Sequence, residues 1–242
     1  MRILDEELLQ DTPFVAVDLE VAERNIRRMG DLARSAGVKL RPHTKTHKSP
    51  RFAREQLASG ATGITTAKLG EAEVMAEHGI TDILVAFPIV GRAKLRRLHR
   101  LLERADVTVA LDDVAVARGI EDVGASLGRT VRIYVDVDTG LHRMGRSPGE
   151  SALHIRAMAR ELPHLEVAGL MSHAGQAYGL STEAAVRAVA VADADALWQT
   201  QQLLAGMGLA VPEISVGATA TARFIRDTPH VTEMRPGRGV PD

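Results

Sequence analysis

The chain has 242 residues, 45% of them hydrophobic and 25% charged, with a net charge of -1. That balance supports a buried core and excludes a disordered chain, while 3% aromatic residues and scattered basic ones argue against a nucleic-acid surface. Absence of cysteine removes disulfides and thiolate chemistry, and with neither a long apolar span nor a basic-then-apolar leader in MRILDEELLQ the expectation is a soluble cytoplasmic protein with no membrane contact.

In chain order, Thr12–Leu19 (TPFVAVDL) reads as a strand, and a helix follows from Glu20 to about Ala36. Short apolar runs then recur at Val38–His43, Gly63–Ala67, Asp82–Phe87, Asp106–Leu111, Val131–Val137, Glu166–His173, Glu213–Gly217 and Val231–Arg235. Helical patterns separate them. In Ala93–Arg104, Leu95, Leu98, Leu101 and Leu102 fall at helical spacing. Ser147-Pro148 and Ser181-Thr182-Glu183 read as helix starts, the second opening a long Ala-rich helix to about Gly206. Strand and helix in alternation predict a parallel sheet, and eight such strands predict an α/β fold of the (β/α)8 TIM-type barrel class. Thr12–Leu19 is then one strand too many, so residues 1–19 are set apart from a barrel over residues 20–242.

Active sites of such barrels lie where the strands end. Arg41-Pro42-His43-Thr44-Lys45-Thr46-His47-Lys48 follows the first strand of the barrel, and Lys45 there reads as a nucleophile. Neighbouring positive charge and partial burial both disfavour an ammonium and free the amine; a solvated basic loop is the alternative. Lys48 reads as the solvent-facing start of the next helix. Ser215, Gly217, Ala218 and Thr219 resemble a phosphate cradle: hydroxyls donate, glycine admits the backbone, and a helix starts near Thr219. A strand end running into a helix cap is the alternative. Arg143 could donate to a phenolate-like oxygen or a carboxylate, or form a surface ion pair. His173 and Tyr178 could frame an aromatic cofactor, although a histidine at a strand end is often a hydrogen-bonded core residue. Val131, Ile133, Val135 and Val137 share one strand face and Tyr134 and Asp136 the other. His43, His47 and His142 match no compact metal spacing, so no metal site is expected within this chain.

The lysine segment, RPHTKTHK, resembles that of the D-threonine aldolase and D-serine dehydratase family, which shares the alanine-racemase-type barrel of fold type III pyridoxal-phosphate enzymes. Thr12-Pro13, Asp136–Gly145 (DVDTGLHRMG), Ser172–Gly179 and Glu233–Gly237 (EMRPG) are similar as well, so the resemblance runs from about Thr12 to Gly237. It implies that Lys45 carries pyridoxal 5'-phosphate as a Schiff base and that Arg143 meets its phenolic oxygen. It further implies that Tyr178 approaches the pyridine nitrogen and that Gly217 to Thr219 hold the phosphate; Gly237, in the EMRPG segment, is expected to bind the cofactor as well. A phenol on that nitrogen would make the cofactor a weaker electron sink than a carboxylate partner would.

The implied activity is a lyase acting on a small-molecule D-amino acid, by aldol cleavage or by dehydration, with a divalent metal polarising the β-hydroxyl. An amino-acid racemase and a non-catalytic pyridoxal-phosphate-binding protein are the alternatives. Relatives imply a homodimer and a C-terminal β-domain that holds the metal ligands, a domain missing from these 242 residues. Thr12–Leu19 is expected to pair with that domain. After Arg-Pro-Gly the family pattern continues with Thr-Tyr, whereas here Arg238-Gly239 follows, so a phosphate-binding tyrosine is missing.

Overall fold

The computed structural model describes residues 16–238. Its strands are β1 (Lys39–Leu40), β2 (Ile64–Thr66), β3 (Asp82–Val85), β4 (Asp106–Leu111), β5 (Val131–Asp136), β6 (Leu165–Met171), β7 (Glu213–Val216) and β8 (Glu233–Met234). The helices are α1 (Leu19–Ala36), α2 (Pro50–Ala58), α3 (Leu69–Glu77), α4 (Arg92–Leu102), α5 (Val114–Leu127), α6 (Pro148–Glu161), α7 (Glu183–Gly206) and the single turn α8 (Thr219–Ala222). All pairings are parallel, in the order β1-β8-β7-β6-β5-β4-β3-β2. The parallel bridge His43↔Thr65 closes the cylinder between β1 and β2. Thr62 N–H to Leu40 O and Thr65 N–H to Pro42 O, both 2.8 Å, complete the seam. The predicted (β/α)8 barrel is the fold.

The two-residue repeat of a strand sorts its side chains into two layers. Ile83, Val85, Val107, Val109, Leu111, Ile133 and Val135 pack outward under the helices as part of one large core. Leu84, Ala110, Tyr134, Ala168 and Met171 form a separate cluster inside the barrel. The alternation read in Val131–Val137 is thus the boundary between these layers.

Helix ends follow local chemistry. Asp18 caps α1 through Val21 N–H at 3.1 Å, Asp113 caps α5 through Ala115 N–H at 2.7 Å, and Thr182 caps α7 through Ala185 N–H at 3.3 Å. Pro148 opens α6, where its missing N–H loses nothing.

β4 coincides with its predicted bounds, while β1 and β8 keep only two residues each of the predicted Val38–His43 and Val231–Arg235. Pro42 and Pro236 interrupt the ladder because they have no N–H to donate, yet the chains stay in register through Arg41 N–H to Met234 O at 3.0 Å and His43 N–H to Pro236 O at 2.9 Å. Most of the predicted strand Thr12–Leu19 lies outside the described residues; residues 16–18 are irregular and Leu19 opens α1. Lys48 does not start a helix. It precedes α2 with φ 51°, and its ammonium lies 3.3 Å from Glu71 Oε1. Among the described residues no helix is long and apolar enough to cross a membrane.

Candidate active site

Lys45 sits in a short 3-10 turn, Thr44–Thr46, directly after β1. Thr46 Oγ1 donates to Gly237 O at 2.6 Å, which ties this turn to the segment after β8. A Cβ placed on Gly237 would lie 3.8 Å from Lys45 Cε and 3.7 Å from His43 Cβ, so the glycine backbone forms a wall beside the lysine stem. Lys45 as a whole residue is partly open to solvent at the mouth of the barrel. Its basicity is lowered, first by partial burial, which disfavours the charged form, and then by the charges of Arg143 and Arg235, with Glu71 opposing.

The segment after β8 also joins the loop after β7. Gly237 N–H and Arg238 N–H both donate to Thr219 Oγ1, at 3.0 and 2.8 Å. Lys45 and the Gly217–Thr219 turn therefore belong to one hydrogen-bonded rim. At Gly217 a Cβ would meet Arg235 Nη1 at 2.9 Å, so only glycine leaves room for that guanidinium. Gly217 O accepts from Ala174 N–H at 3.0 Å and from His173 Nδ1 at 2.9 Å. A carbonyl only accepts, so His173 carries its proton on Nδ1. Arg143 and His173 line one small cavity together with Asp136, Thr139 and Leu141.

Two residues assigned from the sequence have protein partners of their own. The sequence places Ser215 in the phosphate cradle, but its hydroxyl is fully buried, donating to Glu233 Oε1 at 2.6 Å and accepting from Arg235 Nε at 2.8 Å. It belongs to the barrel interior below the rim. Tyr178, assigned to a pyridine nitrogen, has its hydroxyl accepting from Thr219 N–H at 3.1 Å, on the cradle side of the mouth. Arg238 stands over the Tyr178 ring, 5.4 Å from its centroid. Ala218 is buried beside Gly217, and α8 after it has only four residues.

A layer of charge beneath the rim was not legible as a site. Arg41 Nε and Nη1 donate to Glu233 Oε2 at 2.7 Å and Asp82 Oδ1 at 2.5 Å. Arg235 donates to Ser172 O at 2.5 Å and Ser215 O at 3.0 Å. Arg41 was in view within the lysine segment and Arg235 within EMRPG, but their partners lie as far as 192 residues away. Burial raises the Asp136 carboxyl to about 6, against the pull of Arg235 and Arg143.

These groups produce a signed pH dependence. Burial, then Arg235, Arg143 and Lys45, push His173 down to about 4. Burial, then Lys45 and Arg235, push His43 down to about 2. Unfolded imidazoles titrate near ~6.5, so below that pH the unfolded chain binds more protons and folding weakens. The raised Asp136 acts oppositely between its unfolded value and about 6, as does Asp193, also raised by burial. His47, also lowered by burial, puts a third imidazole on the destabilising side against two carboxyls, so acidification weakens the fold. The ligand-free chain should therefore lose stability from about pH 6.5 towards 4.5. Urea midpoints measured across that range check this; midpoints that rise on acidification would contradict it.

The donor set suits an aldehyde bearing a phosphate. Lys45 supplies a primary amine of lowered basicity, Gly217 and Gly237 supply backbone without side chains, and Thr219 opens α8. For a metal the fit is different: among the described residues no three His, Asp or Glu side chains converge to hold one.

Comparison with known proteins agrees with this geometry. Residues 17–240 match the family model of the alanine racemase N-terminal domain. The chain is 36% identical to D-threo-3-hydroxyaspartate dehydratase of Delftia sp. (strain HT23), over 96% of this chain and 62% of that protein. It is 34% identical to D-threonine aldolase of Arthrobacter sp., over 94% of this chain and 60% of that protein. Among solved structures, D-threonine aldolase from Filomicrobium marinum superposes with a TM-score of 0.90 at 34% identity, covering 95% of this chain and 62% of that one. The chain thus spans about three fifths of the length of the curated relatives it matches. An alanine racemase of Clostridium difficile 630, at 19% identity and a TM-score of 0.76, shares the fold. The chain belongs to the alanine racemase N-terminal domain family.

Proposed function

We propose that this chain is the cofactor-binding barrel of a pyridoxal-phosphate-dependent lyase acting on β-hydroxy D-amino acids. The observation that carries the reading is the single hydrogen-bonded rim joining Lys45, through Thr46 and Gly237, to Thr219. Pyridoxal phosphate, held through Lys45, would supply an electron sink for a carbanion at the substrate's α-carbon. Lys45, its ammonium form disfavoured, would be the amine for the aldehyde and, once released, could serve as a general base. Arg143 would meet an oxygen anion of the cofactor, and Gly217, Ala218 and Thr219 would hold its phosphate. His173, neutral near pH 7, adds an aromatic ring without a second cation.

Two relatives are named for substrates with a β-hydroxyl, D-threonine and D-threo-3-hydroxyaspartate. One solved variant of the dehydratase is described as metal-free. A divalent ion serving the hydroxyl would have to be held outside the described residues of this chain.

The test is a titration of the purified chain with pyridoxal phosphate, followed by assays on D-threonine, D-serine and D-threo-3-hydroxyaspartate with and without added Mn²⁺ or Zn²⁺. The expected result is a saturable visible band and release of an aldehyde or a keto acid. Racemisation of D-alanine without release of either would favour the racemase reading. A visible band with no turnover of any D-amino acid would favour a non-catalytic binder. Failure to bind pyridoxal phosphate would overturn the assignment of the site.

A further inference from the structure

α7 carries one charged residue at a buried position. Its other inward positions are Val186, Ala190, Ala194, Leu197, Thr200 and Leu204, whereas Asp193 is only 2% exposed. Burying a carboxylate is costly unless it is bonded and compensated. Asp193 is bonded on both oxygens: Thr139 Oγ1 donates to Oδ1, and Ser172 Oγ donates to Oδ2 at 2.9 Å. Arg235 is the nearby compensating charge.

The two donors are informative by position. Thr139 opens the loop after β5 that carries Arg143, and Ser172 immediately precedes His173 after β6. Thr139 O also accepts from Gln176 Nε2 at 3.3 Å, which links the same point to the turn holding Tyr178. One carboxylate on an outer helix therefore anchors, from behind, the loops that bear three of the predicted cofactor contacts. Side chains that hold a site's own groups in place preserve their productive geometry, and small misplacements are expensive.

We propose that Asp193 is a positioning residue for the cofactor site: through Thr139 and Ser172 it sets where Arg143 and His173 stand relative to Lys45. This rests on the pyridoxal-phosphate reading above. It does not require Asp193 to touch the cofactor.

The test measures pyridoxal-phosphate affinity by equilibrium dialysis, together with the visible band and the melting temperature of the cofactor-free chain. Thr139→Val keeps the shape and deletes the hydroxyl, while Thr139→Ser retains it. Thr139→Val and Asp193→Asn are each expected to weaken affinity by about ten-fold, beyond what any fall in melting temperature explains, with Thr139→Ser close to the parent chain in both. Unchanged affinity in Thr139→Val would overturn the proposal, as would a loss no larger than the drop in folded fraction explains. If Asp193→Asn does not fold, the Thr139 pair still decides. Absence of cofactor binding by the parent chain would overturn both readings, whereas full binding by every variant overturns this one alone.

Discussion

Lys45→Ala is expected to abolish the visible absorbance of bound pyridoxal phosphate and to lower turnover of any accepted D-amino acid by at least about 10²–10⁴-fold, the range associated with loss of a positioned base. The expectation rests on placement. Lys45 lies against Gly237 on the rim shared with Thr219, and its ammonium is disfavoured by desolvation and by two arginines. Lys48, three residues on, is an internal control. Its ammonium is held 3.3 Å from Glu71, and 60% of its side chain is exposed. Lys48→Ala should leave the band in place. A band that survives Lys45→Ala but disappears in Lys48→Ala would move the site by one turn of chain and remove the basis of the proposed function.

Arg235→Met is expected to destabilise the fold by about 3–5 kcal/mol, read from urea unfolding. Arg235 is buried and donates to Ser215 Oγ, Ser215 O and Ser172 O, tying the ends of β6 and β7 together from inside. Glu233 and Asp136 lie within its field. Glu233 would keep Arg41, but an apolar replacement would leave buried Asp136 without its leading counter-charge and remove the guanidinium donor to Ser172 O. Arg235→Lys should recover little, because a single ammonium cannot reproduce the planar fork of donors. Loss of this charge should also relax His173 upward from about 4, since Arg235 is the leading charge holding it down. A change below ~1 kcal/mol would mean that the interior of the barrel is hydrated enough to screen its charges.

Much of this architecture was written in short windows of sequence. β4 lies where its apolar run does, Thr182 and Pro148 start the helices they announce, and Val131–Val137 divides its faces as its alternation requires. The segment Arg41–Lys48 likewise pointed to the end of β1 as the place of chemistry. Such features depend on neighbours within a turn or a strand, which composition and periodicity record directly. Closing the barrel decided the rest. It set β8 beside β1 and so paired Arg41 with Glu233 across 192 residues. The same closure drew the Ser215 hydroxyl into that interior network, brought Tyr178 to Thr219, and gave the buried aspartate of an alanine-rich helix two loops to hold. Partner choice among buried polar groups is a matter of distance after closure, and the order of residues along a chain does not contain that distance.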